Sequence, residues 1–312
     1  MTDFPLKLEE SLFMKILLTG ANGQLGSDLR IALSEHTVVA ATRQGIGNEN
    51  YNAVALDVTD AVRLREVMAV YNPDLLLNTT AYNKVDAAET DAREALLVNA
   101  FAAQQLARVC REFDTPLVHI STDFVFDGAK RGPYIESDLP NPLSAYGASK
   151  HAGELLVRAA WRKHYVIRTC GLYGVAGSSG KGGNFVNTML RMAREGKPLT
   201  VVDDQVCTPT STVDLARQIV RLIEHTGGQS DYGVYHMNDH GQCSWYAFAS
   251  EIFRLAGVSA NLSPIHSVDY NAPAMRPLYS VLQNARLQEL GIDQMRDWRA
   301  ALGEYLGGGM RG

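Results

Sequence analysis

The stretch KILLTGANGQLGSDLRIAL, residues 15–33, decides how the chain is read. A β-favouring run, KILLT, leads into Gly20, Gly23 and Gly26 in G-x-x-G-x-x-G spacing, and Leu25, Leu29, Ala32 and Leu33 then share one face of a helix. Glycine allows the tight turn and lets backbone approach a diphosphate. The charge of that diphosphate is met by the free N–H groups and partial positive charge of the helix start. A glycine triplet by itself is also an ordinary turn, so the strand before it and the helix after it are what point to a dinucleotide. Outward from this unit, the β-rich runs VVAATR, DLLLNTT, PLVHIST and HYVIRT alternate with segments of helical length. The expectation is an α/β fold, Rossmann-like, with a doubly wound parallel sheet. Residues 14–170 read as the NAD(P)-binding domain. After Thr169 the Gly- and Pro-containing segments GVAGSSGKGGN and CTPTST break the rhythm, so 171–312 read as a smaller C-terminal α/β substrate lobe interleaved with the first domain.

Bulk properties narrow the class. The 312 residues are 46% hydrophobic, enough for a sizeable core, and 29 basic against 34 acidic residues leave a net charge of −5. That balance lacks the positive charge used to bind phosphate backbones, so nucleic acid is not an expected partner. Cys110, Cys170, Cys207 and Cys243 lie far apart with no C-x-x-C pair, which fits a reducing cytoplasm rather than a disulfide framework. No apolar run of about 18 residues and no export signal is evident, so no membrane is expected either. Because Met14 directly precedes the first strand, residues 1–13 read as an extension outside the fold.

The second strand bears on the cofactor. A carboxylate about 20 residues past the first glycine would bind the ribose 2′-hydroxyl of NAD, but AATRQG offers Thr42 and Arg43. Arg43 can pair with a 2′-phosphate, which favours NADPH over NADH; a solvated surface arginine is the plain alternative. In SAYGASKHAGE, residues 144–154, Tyr146 and Lys150 stand four apart, on one face if residues 145–162 are helical. A neighbouring ammonium is expected to lower the phenol's pKa, so that it exchanges a proton with a substrate oxygen near neutral pH. Thr122 ends the run LVHIST, and strand ends of open α/β sheets face the ligand crevice. A Thr/Tyr/Lys set beside a nicotinamide reduces ketones.

TGANGQLG, STDFVFDG, NPLSAYGASKHAGE, GNFVNTMLR and DDQVCTPT together resemble the extended short-chain dehydrogenase/reductases, and among them the dTDP-4-dehydrorhamnose reductase family, from Met14 to about Leu306. The resemblance implies that Thr122, Tyr146 and Lys150 are catalytic and that Gly20, Asn22, Gly23, Gln24 and Leu25 form the pyrophosphate turn. It places Asp57 and Val58 by the adenine, Thr80, Ala81 and Tyr82 beside the cofactor ribose, and Asn99 at a polar cofactor-side position that supports the site. Val85, Asp123, Phe124, Gly171, Asn184, Phe185 and Arg276 are implied around the substrate. The implied reaction is NAD(P)H-dependent reduction of the C4 ketone of dTDP-4-dehydro-L-rhamnose to dTDP-L-rhamnose, with Tyr146 giving the proton, Lys150 holding the nicotinamide ribose and Thr122 orienting the ketone.

Three departures from the family pattern concern the sugar. RTCGLYG has Gly171 where the family has a tryptophan, leaving an open wall. AYNKVD stands for A-Y-T-A-V-D, and MRPLYS keeps Arg276 but loses a neighbouring arginine and asparagine; Arg276 reads either as a diphosphate ligand or as a surface arginine. Lys181 fails the P-loop spacing and its surroundings read as a flexible loop near the sugar. His236 and His240 straddle a strand end and do not read as metal ligands, and no carboxylate cluster identifies the magnesium site that some family members place at a dimer contact. Asp203 and Asp204 read as solvated or structural, and Trp245 and Tyr246 as core. Monomer and homodimer both fit. An epimerase or dehydratase of another nucleotide sugar and a non-catalytic NADP-binding subunit remain rival readings.

Overall fold

A computed structural model describes residues 13–47, 51–176 and 183–309. The proposed extension up to residue 12 and the Lys181 loop lie outside the described residues. Strands β1 (Lys15–Thr19), β2 (Thr37–Thr42), β3 (Val54–Ala55), β4 (Leu75–Asn78), β5 (Leu117–Thr122) and β6 (His164–Thr169) join the strand Gly233–His236 in one sheet. The order across the sheet is Gly233–His236, β6, β5, β4, β1, β2, β3, and every pair is parallel. The chain winds outward in both directions from β1 and β4. The expected doubly wound sheet is therefore present, and the crevice opens at the carboxyl ends of those two central strands.

Alternation along β1 explains why both faces are covered. Ile16 and Leu18 pack with α1 (Gln24–Ala32) and α7 (Thr212–Thr226), while Leu17 packs with α2 (Ala61–Tyr71), α4 (Ala103–Glu112) and α5 (Ala145–Ala160). A short helix, α3 (Ala92–Leu96), runs into a π-helical turn, Leu97–Ala102, before α4. Asn99 lies buried within this turn, a feature frequent at functional sites.

A second body of core forms around α6 (Phe185–Arg194), α8 (Trp245–Ala256) and the helix Trp298–Gly309. Three two-stranded pairings stitch this part together: Leu199–Val202 with Leu262–Ile265, Val206–Cys207 with Cys243–Ser244, and Leu172–Tyr173 with Thr210–Ser211. The strand Gly233–His236 returns to the large sheet from within this half of the chain.

Candidate active site

At the end of β1, Gly20 adopts φ +74, and a Cβ there would stand 2.6 Å from Thr79 Oγ1. Gly23 then caps α1 without any side-chain hydrogen bond, and no acidic residue occupies the first turn. The first-turn N–H groups accordingly have no capping side chain, the arrangement that accepts a diphosphate. Gly26 lets helix and turn close up, since its Cβ would fall 2.2 Å from the Gly20 carbonyl oxygen. Leu25 is buried, whereas Asn22 is exposed and the Gln24 Oε1 is a sealed acceptor without a protein partner. This cradle fits a dinucleotide.

At the far end of the same crevice, Thr42 is buried and donates to the Ile46 carbonyl, while Arg43 is 75% exposed. Asp57 reaches Arg43 at 3.5 Å, so a carboxylate absent from the end of β2 arrives from the segment after β3. Burial pushes the Asp57 pKa up, but hydrogen bonds from Thr59 and the Arg43 charge carry it below its ordinary value. Val58 lies buried beneath. Thr80 is set by Asn78, whose side-chain oxygen accepts from both the Thr80 backbone N–H and its hydroxyl. Ala81 is exposed, and the Tyr82 backbone is clamped by Asn99, which accepts from its N–H at 2.9 Å and donates to its carbonyl at 3.0 Å. The Asn99 amide also donates to Ser149 at 2.9 Å, so it joins the 80–82 turn to α5 with both of its N–H donors used. Asn99 acts through its neighbours.

The helix α5 is capped by Ser144, whose hydroxyl accepts from the Gly147 N–H. Its small residues explain how it comes so close: a Cβ on Gly147 would meet the Phe124 carbonyl at 2.3 Å, and one on Gly153 the Asn99 carbonyl at 2.1 Å. Tyr146 and Lys150 project from this helix toward the end of β5. Tyr146 packs edge-on against Phe124, with ring centroids 5.6 Å apart, and hydrogen-bonds the Thr122 hydroxyl. Lys150 is 2% exposed and donates to the Ile120 carbonyl at 2.6 Å.

The charge state of the phenol differs from the expectation. Lys150 was to lower the Tyr146 pKa, yet burial pushes it up to about 12, a rise that the Thr122 hydrogen bond opposes and the Asp123 carboxyl reinforces. The ammonium is turned to a backbone carbonyl instead. Burial also draws Lys150 down to about 8, with Glu154 opposing the shift. Glu154 went unnoticed in the sequence although it lies one turn beyond Lys150; it is fully buried and bonded to both Arg168 and Ser121.

Beside the catalytic candidates lies a cleft of about 100 Å³, lined among others by Asp123, Phe124, Gly171, Gln205, Trp245 and Arg276. Buried Asp123 accepts from Thr122, Cys170 and Ser280, and its pKa is raised, burial outweighing these bonds. Arg276 is no loose surface arginine: it donates to the Ala274 carbonyl at 3.0 Å and, at 2.8 Å, to Asp86, the residue next to Val85. Gly171 has φ +57, and its Cβ would stand 3.1 Å from Pro209 Cα, so the backbone itself disfavours a side chain. Trp245 faces the cleft while also packing on Phe185 and Phe248, so it is wall as well as core. Asn184 and Phe185 stand behind that wall: Asn184 caps α6 and donates to the Gly174 carbonyl, and Phe185 stacks on Phe248. Neither lines the cleft.

His236 is buried, with Nδ1 against the Tyr134 carbonyl, and His240 pairs with Asp293; the two have separate partners. Asp204 bonds Ser267 and Asp203 accepts from Ser244, both structural roles. No group of three or more His, Cys, Asp or Glu side chains able to hold a metal occurs among the described residues, and none of their helices is long and apolar enough to cross a membrane.

Residues 14–309 match the family described as the RmlD substrate binding domain. The chain belongs to that family. Its relatives include a dTDP-4-keto-6-deoxy-D-glucose reductase of Streptomyces niveus, 39% identical over 92% of this chain and 94% of that protein. The dTDP-4-dehydrorhamnose reductase of Streptomyces griseus is 37% identical over 92% and 91%. Among solved structures, a Bacillus anthracis dTDP-4-dehydrorhamnose reductase in complex with NADP is 35% identical, with TM-score 0.86 over 95% of this chain and 99% of that one. A Thermotoga maritima UDP-glucose 4-epimerase, 18% identical with TM-score 0.80 over 96% and 99%, shares the fold. This RmlD-family chain therefore has a short-chain-reductase-like architecture throughout its described length.

Proposed function

We propose that this chain is an NAD(P)H-dependent reductase that converts the C4 ketone of dTDP-4-dehydro-L-rhamnose to the alcohol of dTDP-L-rhamnose. The observation that carries the reading is the convergence of Thr122, Tyr146 and Lys150 at one edge of the crevice whose other edge is the uncapped glycine turn. Relatives of equal standing are named for different dTDP-linked 4-keto sugars, which supports the reaction class and the nucleotide before the sugar.

In this reading, the glycine-turn half binds the dinucleotide and the part from residue 171 onward binds the sugar. A bound reduced nicotinamide supplies the hydride. The protein supplies the proton and the geometry. With its pKa near 12, Tyr146 stays protonated at neutral pH, the state a general acid needs when a ketone oxygen gains negative charge. Thr122 gives that oxygen a second hydroxyl contact. Lys150, charged below about pH 8, lies on the same helical face to stabilise the phenolate left behind and to hold the nicotinamide ribose. Arg43 meets a 2′-phosphate, with Asp57 yielding it.

The test is to mix the protein with NADPH and enzymatically made dTDP-4-keto-L-rhamnose and follow loss of reduced-nicotinamide absorbance. Stoichiometric oxidation with formation of dTDP-L-rhamnose supports the proposal. Cofactor that co-purifies tightly and recycles without net oxidation would point to the epimerase reading instead.

A further inference from the structure

Gln205 sits in the turn between the strands Leu199–Val202 and Val206–Cys207 and lines the cleft beside Asp123 and Gly171. It is 7% exposed. The adjoining backbone is fixed from both sides, since the Val206 N–H donates to the Leu278 carbonyl and the Val206 carbonyl accepts from Ser280. Its carboxamide, by contrast, makes no hydrogen bond among the described residues, and its polar atoms are not sealed away from the cleft.

The charged and hydroxyl-bearing side chains around the cleft are engaged. Asp123 takes three donors, Ser280 is one of them, Cys170 is another, and Arg276 is held by Asp86 and the Ala274 carbonyl. A nearly buried amide without a partner is unfavourable in a folded protein and calls for a ligand or a water to complete it. A carboxamide both donates and accepts, which suits a pair of sugar hydroxyls better than a phosphate, whose oxygens only accept. The indole of Trp245 forms the neighbouring wall, braced from behind by Phe185, and offers an apolar surface for the C–H face of a sugar ring.

Building on the proposed function, we infer that Gln205 determines sugar specificity by hydrogen-bonding hydroxyls of the hexose ring. On this inference its contribution appears only when the sugar is present.

The experiment measures binding by calorimetry of dTDP-L-rhamnose, its 2-deoxy and 3-deoxy analogues, and dTDP alone, to the full chain with NADP present. Wild type, Gln205→Leu and Gln205→Glu are compared, and urea unfolding is recorded for each. Wild type is expected to favour the full sugar over at least one deoxy analogue by roughly 10–100-fold. Gln205→Leu is expected to lose that preference, Gln205→Glu to retain part of it through its acceptor oxygens, and dTDP affinity to stay unchanged in both. Because the empty protein leaves this amide unpartnered, Gln205→Leu should unfold at the same or a higher urea concentration, the opposite of what a structural glutamine would do. An unchanged preference in Gln205→Leu, a fall in dTDP affinity, or a lower unfolding midpoint overturns the inference. Failure of the wild type to reduce any keto sugar, with the binding preference intact, counts against the proposed function and not against Gln205.

Discussion

Replacing Glu154 by glutamine probes the buried charge behind the catalytic face. Glu154 is fully buried; Arg168 donates to its two carboxylate oxygens at 2.9 and 2.7 Å, Ser121 donates as well, and His151 lies 3.5 Å away. Burial pushes this carboxyl up, but the His151 contact, the bonds from Arg168 and Ser121 and the Arg168 charge prevail and hold it at about 2, against an ordinary 4.5. At 1.36 kcal/mol per pKa unit, the difference corresponds to about 3 kcal/mol of folding stability at neutral pH. The folded-state pKa is the lower one, so this stability is complete above about pH 4.5 and drains away as pH falls toward about 2. Glutamine keeps the shape but strands Arg168 as a buried cation, and the expected loss is about 3–5 kcal/mol. The same substitution removes the group that opposes the downward shift of Lys150, so the lysine should give up its proton below about pH 8. Two measurements check this: urea unfolding of both proteins at neutral pH and near pH 3, and the pH dependence of kcat/KM. The stability gap should narrow in acid, and the alkaline limb of the variant should move to lower pH. A gap equally wide at both pH values, or an alkaline limb that stays in place, refutes the reasoning.

Tyr146→Phe is expected to lower kcat by about 10²–10⁴ with cofactor binding retained, read by steady-state assay and fluorescence titration. Arg43→Ala should weaken NADPH binding about tenfold and leave NADH nearly unaffected, because only the 2′-phosphate meets the guanidinium; equal losses for both cofactors would remove Arg43 from the site. Gly153→Ala places a methyl 2.1 Å from the Asn99 carbonyl oxygen, so α5 must back away, with an expected cost of about 1–3 kcal/mol in urea unfolding and a fall in turnover.

Much of the site was legible because its signals are local. Tyr146 and Lys150 needed only a helix to share a face, and α5 provides it. Gly20, Gly23 and Gly26 needed only a strand-to-helix turn. Other features were not legible, because each joins residues far apart in the chain. Asp86 meets Arg276, Asp123 meets Ser280, and Asn99 links Tyr82 to Ser149. The placement of Asn184 and Phe185 behind the Trp245 wall likewise depends on how α6 and α8 pack.

Alternating apolar runs and helical spacing, read along the chain alone, determined the parallel α/β sheet, the dinucleotide turn and the pairing of Tyr146 with Lys150 on one helical face, since periodicity and turn chemistry are properties of neighbouring residues. Tertiary structure decided the direction of the Tyr146 and Lys150 titrations and which polar groups are left for a ligand. Those quantities depend on how much protein surrounds a group and on which distant partners reach it, and no local pattern encodes either.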